Sequence, residues 1–359
     1  MPQTPKFPTP NAMESCGAYN RSSRVQAAGL SPALPMLQRA AQTAALPADS
    51  QPIVVADYGS SQGRNSLAPM SAAIAVLRHR VGSDRPISVI HTDLPQNDFS
   101  ALFQTLNTDP NSYLQTQSAV FASAVGRSYF QQILPPASVT IGWSSWAVQW
   151  LSRVPGIIPD QVQIAFSRDP AARAAFSAQA SEDWRNFLTA RGRELIPGGK
   201  LAILTMSVDE DGNFGYAPLV RAIYAALLEL VDSGVVTSDE ARHMAIPTVG
   251  RSRADFLCPF DKDGRFAGLL VEDLETFEGE DGIWLDYERH RDASQFAAEW
   301  AAFSRASVFP TLAGNLQSGG APRAMDFCDR LEAGTAARLA TGPEKMSIPL
   351  VKVLLARQP

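Results

Sequence analysis

The chain has 359 residues, 45% of them hydrophobic and 19% charged, with a formal net charge of −5. That length predicts one large domain with an insertion, or two domains, rather than a single small core. Mild acidity with scattered Lys and Arg argues against a nucleic-acid or anionic-membrane surface, and the longest apolar runs, such as 224–231, fall well short of a membrane span.

Three cysteines, Cys16, Cys258 and Cys328, are far apart and outside any C-x-x-C, which reads as free thiols in a reducing compartment. The proline-bearing start, "MPQTPKFPTPNAMES", lacks the apolar core of a signal peptide, so residues 1–15 read as a disordered tail and the cytoplasm is the default location.

In chain order, "PIVVAD" (52–57) is β-branched and continuous, as a buried strand should be. A helix is predicted over 66–82, stopped by Gly82, then a strand over 86–93 and a helix over 97–107 that Asn97 or Asp98 could cap. "SVTIGWSS" (138–145) predicts the third strand, running into a short helix at "WAVQWLSRV". A helix over 181–199, capped by Ser181 and stopped by Gly198-Gly199, feeds a fourth strand at 200–208. Residues 209–300 read as helices without clear strands, 290–308 as helical, and 347–356 as a late strand. Strand–helix alternation of this kind predicts an α/β chain with a mostly parallel, doubly wound sheet, and the interruptions predict an α-helical cap over its carboxyl edge.

The chemistry concentrates in "VVADYGSSQGRNS" (54–66), where a buried strand ends on Asp57 and passes into Gly59 and Gly63. A phosphate cradle needs G-x-G-x-x-G, and the spacing here is G-x-x-x-G with no P-loop lysine. Alternatively the acid only caps its own turn. In a third reading, Asp57 faces the positive amino-acid end of S-adenosylmethionine, with glycines allowing close backbone approach. That reading requires a second acid at the next strand's tip to take ribose hydroxyls, and Asp93 ends "VIHTD".

"GAYNRSSRVQ", "ADYGSSQGRN", "HTDLPQNDFSALFQTL", "GRSYFQQILP", "SSWAVQWLSRVP" and "FLTARGRELIPGGKLAIL" follow one another from about residue 17 to 205. In these stretches the sequence resembles the SABATH methyltransferases, S-adenosylmethionine-dependent enzymes that methylate small carboxylic acids such as salicylate, benzoate and jasmonate, or xanthine nitrogens. The resemblance implies a Rossmann-like class I methyltransferase fold. The expected nucleoside-binding domain comprises 16–152, 181–208 and 331–359; 153–180 and 209–330 form the mainly helical substrate region.

Carried over by position, the resemblance implies that Asp57, Gly59 and Asn65 line the methionine end of the cofactor and that Asp93 takes its ribose, with Leu94 against the adenine. Ser128 and Tyr129 would lie beside the adenine and Ser145 below the cofactor, with Tyr19 and Ser23 closing over it. Gln26 and Trp150 would hold the acceptor carboxylate, with Trp146 and Gln149 shaping its pocket. A homodimer is implied, and no metal is expected.

Each residue also has a structural reading. Trp146 and Trp150, four apart on a helix, could be core; Ser128 and Asn65 could cap turns or helices; Gln26 could be a helix-surface residue. His91 reads as a strand residue rather than a base. The sequence departs from the family at Tyr58, Arg64, Tyr129 and above all Trp143, which would narrow or relocate the acceptor pocket. A carboxylate acceptor needs no general base, since it is already ionised at neutral pH. The expected reaction is therefore direct O-methylation of a small carboxylic acid by S-adenosyl-L-methionine, leaving S-adenosyl-L-homocysteine. Transfer to a heterocyclic nitrogen, or nucleoside binding without transfer, are the alternatives.

Overall fold

A computed structural model describes residues 29–358; the positions expected at Tyr19, Ser23 and Gln26 lie outside them. The strands are β1 (Ile53–Tyr58), β2 (Ile87–Asp93), β3 (Val120–Gly126), β4 (Val139–Ser145), β5 (Leu195–Met206), β6 (Arg265–Phe266), β7 (Leu269–Glu278) and β8 (Pro349–Arg357). Helices of eight residues or more are α1 (Leu34–Thr43), α2 (Arg64–Val81), α3 (Phe99–Thr108), α4 (Pro170–Glu194), α5 (Ala217–Asp232), α6 (Gly282–His290), α7 (Ala293–Ser307) and α8 (Gly320–Thr341).

The eight strands form one sheet in the order β3-β2-β1-β4-β5-β8-β7-β6. β1 to β5 pair in parallel, whereas β8, β7 and β6 join antiparallel beyond β5. The chain therefore steps outward from β1 to β3, then returns to place β4 on β1's other side. That reversal opens a crevice at the carboxyl ends of β1 and β4, where open α/β sheets receive ligands.

Apolar residues of α1, α2 and α3 cover one face of the sheet, and Trp184, Phe187 and Leu188 of α4 cover the other. α5, α7 and α8 pack together within the larger of these cores. The predicted strand at 52–57 and helix at 66–82 match β1 and α2, and Asp98 does cap α3, accepting from Ala101 N at 2.9 Å.

Four element expectations are corrected. Residues 146–150 are not helical. Trp146 has φ +53°, and the backbone of the segment bonds elsewhere: Trp146 N to Leu204 O, Leu151 N to Pro247 O, and Val249 N to Gln149 O. Ser181 is no cap, because α4 begins eleven residues earlier at Pro170, capped by Asp169. Gly198-Gly199 does not stop that helix either, but lies inside β5. There the pairing with β4 jumps from Val139↔Leu195 to Ile141↔Lys200, and Gly198, at φ +75°, lets Ala45 pack against the bulge. Finally, β3 and β7 are strands that the hydrophobic pattern did not reveal, β7 lying within the stretch read as helical.

Candidate active site

β1 and β2 run parallel with Asp57 opposite His91 and Tyr58 opposite Thr92, which sets Asp93 just beyond β1 on the neighbouring strand. Asp57 is buried at 2% exposure, and its Oδ2 accepts from Ser66 Oγ at 2.5 Å and from His91 Nδ1 at 2.9 Å. Both bonds fall on one oxygen; Oδ1 takes none among the described residues. His91 is wholly buried, and its Nε2 lies 2.8 Å from the Tyr113 hydroxyl. A carboxylate only accepts, so Nδ1–H donates to Asp57; in the neutral imidazole the tyrosine O–H then donates to Nε2. The imidazole thus carries a continuous chain from a short helical turn (Tyr113–Thr116) to the first acid.

Asp93 is half-buried and accepts at 2.7 Å from Ser61 N on Oδ2 and from Leu94 N on Oδ1. Lost hydration pushes its carboxyl up to about 6; the two backbone donors pull it down, and Asp57 adds to the rise. The loop after β1 is locked to β2, since Gly59 N and Ser60 N donate to Thr92 O and Asn97 Nδ2 donates to Ser61 O.

Gly59 has φ +90°, and a Cβ there would come within 2.5 Å of the Ala147 Cβ. The glycine is therefore needed for the loop's contact with the 146–150 segment, whatever it does for a ligand. Gly63, at φ +87°, forms the N-cap of α2, with Asn65 half-buried in the first turn.

Ser128 and Tyr129 follow β3, where Ser128 closes a turn by accepting from Gln131 N. The Tyr129 hydroxyl donates to Ala147 O at 2.8 Å, so the oxygen absent from phenylalanine has a partner. Beneath it, Arg191 Nη1 donates to Tyr129 O at 2.8 Å, and Arg191 pairs with Glu194, Nη2 donating to Oε1 at 2.9 Å and Nε lying 2.8 Å from Oε2 without a hydrogen bond. Tyr58 O–H donates to Glu194 Oε2 at 2.7 Å, and the Arg191 guanidinium lies over the Tyr58 ring. Ser145 ends β4, half-buried, and Ser144 Oγ donates to Tyr58 O.

Beyond β4 the 146–150 segment borders a cavity enclosing about 650 Å³, counting its open mouth, within the usual range for a small-molecule site. Trp146, Gln149 and Trp150 line it from below; Phe214, Tyr216 and Phe303 are among the residues facing them from the cap. Tyr216 stacks on Phe303 (6.3 Å, 5°), and its buried hydroxyl has no partner among the described residues. Gln149 is committed: Nε2 donates to Trp146 O at 2.7 Å, while Oε1 accepts from Thr205 Oγ1 at 2.7 Å.

Trp143 does not line this cavity. It sits wholly buried in β4, its indole N–H without a partner among the described residues, so the narrowing expected of it does not occur by direct contact. His91 is a strand residue, as expected, but its part in anchoring Asp57 is what the sequence reading left out. Its signal was available, because a histidine two positions before a strand-tip acid, on a strand parallel to β1, comes into register with the first acid.

The two strand tips thus bring together a carboxylate whose Oδ1 takes no hydrogen bond among the described residues and, on the neighbouring strand, a second, half-buried carboxylate. The buried Ser61 Oγ, which has no partner among the described residues, adds a donor beside Asp93. Among the described residues no group of three or more His, Cys, Asp or Glu could hold a metal ion, and no helix is long and apolar enough to cross a membrane.

A family model described as "SAM dependent carboxyl methyltransferase" matches residues 13–346. Methyltransferase FUS9 of Gibberella fujikuroi is 30% identical over 245 residues, 68% of this chain and 65% of that protein. The match thus spans slightly under two thirds of that relative's length. O-methyltransferase acrG of Aspergillus aculeatus is 30% identical over 305 residues, 81% of this chain and 79% of its own. S-adenosyl-L-methionine:benzoic acid/salicylic acid carboxyl methyltransferase 3 of Petunia hybrida is 29% identical over 237 residues, 62% and 66%. A solved structure, "Loganic acid methyltransferase with SAH", superposes with a TM-score of 0.76 at 19% identity, covering 98% of this chain and 99% of that one, and shows the fold to be shared.

Proposed function

The chain belongs to the family of S-adenosylmethionine-dependent carboxyl methyltransferases, and from that premise we propose that it converts a small, largely apolar carboxylic acid to its methyl ester. The observation that carries this reading is the contact between Gly59, two residues past Asp57, and Ala147, inside the segment that bears Trp146 and Trp150. It sets the strand-tip acids and the aromatic cavity side by side.

S-adenosylmethionine, when bound, supplies an activated methyl group on a positively charged sulfur. The remaining work belongs to the chain. Asp57 would meet the positive amino end of the nucleoside, and Asp93 would accept from its ribose hydroxyls. The acceptor, with a carboxyl pKa near 4, arrives ionised, so no side chain has to remove a proton. The Trp150 indole holds one carboxylate oxygen while the other points at the methyl carbon; Gln26 joins it in this reading by resemblance. Neutral donors orient the acceptor without a full counter-charge that would blunt its nucleophilicity. The walls of Trp146, Trp150, Tyr216 and Phe303 exclude water, and alignment in such a site can supply several kcal/mol. Aromatic faces also suit a cationic donor.

The test is incubation of purified protein with methyl-labelled S-adenosylmethionine and a panel of aromatic and aliphatic acids alongside azoles. Labelled methyl ester from at least one acid supports the proposal. Label on an azole nitrogen with none on any acid would transfer the assignment to N-methylation, and cofactor binding without transfer would leave a nucleoside-binding protein.

A further inference from the structure

A second, larger cleft adjoins the acceptor cavity, and one side chain borders both. The cleft encloses about 1180 Å³ including open solvent, between α4 and the segments near residues 208–214 and 249–258. Its wall carries Arg173, Ser177, Ser181, Arg251 and Asp255, whereas the acceptor cavity is mainly apolar. Phe214 lines the two together. On one side its ring lies 6.4 Å from Tyr216, which faces the acceptor cavity. On the other, the Cβ position of Gly250, which faces the cleft, is 2.7 Å from Phe214 Cδ2. Nearby, Gln163 and Thr248 line the acceptor cavity, Gln163 Nε2 donating to Thr248 O and Oγ1 at 2.8 Å each, and the residues next to this pair, Ile164 and Val249, line the cleft.

The ring is carried on a loop rather than on a helix or strand. Gly212 and Gly215 both have φ +83°, and the turn between them closes on Asp209, whose carboxylate accepts from Asn213 N at 2.8 Å and Nδ2 at 3.0 Å. Arg251 in the cleft wall is 2% exposed. Its Nη1 and Nη2 donate to Val148 O and Ala180 O, Nε has no partner among the described residues, and the carboxylates of Asp183 and Asp255 act on its charge without a direct ion pair. A buried guanidinium whose counter-charges stand off from it still gains from an anion in direct contact. Arg173 adds a second cation at the exposed rim.

We propose that Phe214 is a partition that sets the length of acceptor the site takes, and that the cleft behind it is a subsite for an anionic tail. This rests on the methyl-transfer reading above. A long acid enters with its reacting carboxylate at Trp150, and its far end is stopped at Phe214 or, where the partition is removed, reaches the arginines beyond. Phe214 acts on specificity and does not touch the reacting atoms.

The experiment compares the full-length protein with Phe214→Ala and Phe214→Leu on straight-chain monocarboxylic acids and α,ω-dicarboxylic acids of increasing length. It measures kcat/KM and, independently of turnover, calorimetric binding of each acid to the S-adenosylhomocysteine complex. The expected result is a length optimum displaced to longer chains in Phe214→Ala, with a gain of about tenfold or more in kcat/KM for long diacids and little change for short acids. Phe214→Leu should give a smaller shift, and adding Arg173→Ala should remove part of the advantage of diacids over monoacids. An unchanged length profile in a Phe214→Ala protein of normal cofactor affinity would overturn the proposal. If no protein esterifies any acid, the methyl-transfer reading fails; tighter long-diacid binding by Phe214→Ala would then still support the partition, and its absence would end both.

Discussion

Asp57 and His91 face each other across the first two parallel strands, with Nδ1 of the imidazole 2.9 Å from Oδ2 of the carboxylate. His91 is wholly buried and Asp57 nearly so, and the bond, together with that from Ser66, fixes Oδ2 of the carboxylate. His91→Leu would remove that anchor and leave the Tyr113 hydroxyl buried without a partner, a loss of about 1–3 kcal/mol in stability. We predict a lower melting temperature and cofactor binding weakened by about tenfold in calorimetry, the order of one lost hydrogen bond to a charged group. Unchanged affinity would show that the histidine serves packing alone.

We predict that Asp93 makes cofactor affinity depend on pH. Its carboxyl titrates at about 6 in the folded chain, above its ordinary 3.8, chiefly because it is removed from water. The folded chain therefore retains a proton that the unfolded chain releases, and the resulting contribution to stability, present in acid, is lost as pH rises through about 6. Ligand binding runs the other way, because ribose hydroxyls need the ionised form as acceptor. Affinity for S-adenosylhomocysteine should be flat above pH 7 and fall by about tenfold per unit below 6. Asp93→Asn should bind weakly at every pH and lose that slope.

Trp150 is expected to separate binding from transfer. Trp150→Ala should leave S-adenosylhomocysteine affinity within a few-fold of the parent and lower kcat/KM for the acid by about a hundredfold, the scale of losing one orienting donor. Trp150→Phe, which keeps the wall but not the N–H, should recover acid binding better than turnover. Equal losses in cofactor and acid binding would instead mean that the residue only supports the fold.

Glu194 is a hub of the opposite face. It is wholly buried and accepts from Ile133 N, Leu134 N, the Tyr58 hydroxyl and Arg191 Nη2, and Arg191 in turn supports the Tyr129 carbonyl. Glu194→Gln leaves a buried guanidinium without its counter-charge, which costs about 3–5 kcal/mol. Urea unfolding should show that loss as a lower midpoint with an unchanged slope.

The parts of this fold legible in the sequence are those with local punctuation. β1 was readable because Val54 and Val55 run into an acid and a glycine, and α3 because Asp98 stands at its head. β3 was not, since a strand of mostly small residues at the sheet's edge, with Phe121 60% exposed, carries little burial pattern. β7, with its scattered glutamates, is held by pairing along β8, a partner some 75 residues later that no local window contains. Gly198-Gly199 misled for a related reason: the pair accommodates a bulge against β4 and Ala45, and such a long-range contact looks like a helix stop in one dimension. At the site, the two strand-tip acids were legible from strand endings alone. The left-handed Trp146 was not, because it is set by backbone bonds to Leu204 and by distant loops; nor was the second cleft, which exists only where α4 meets the loops after β5.

The most direct measurement is a crystal structure of the protein with S-adenosylhomocysteine and an unreacted carboxylic acid. The account predicts the ribose on Asp93, the amino end on Asp57, and the acid's carboxylate beside Trp150 with one oxygen in line with the sulfur. A nucleoside bound away from the tips of β1 and β2, or an acid lodged where no oxygen can approach the sulfur, would contradict it.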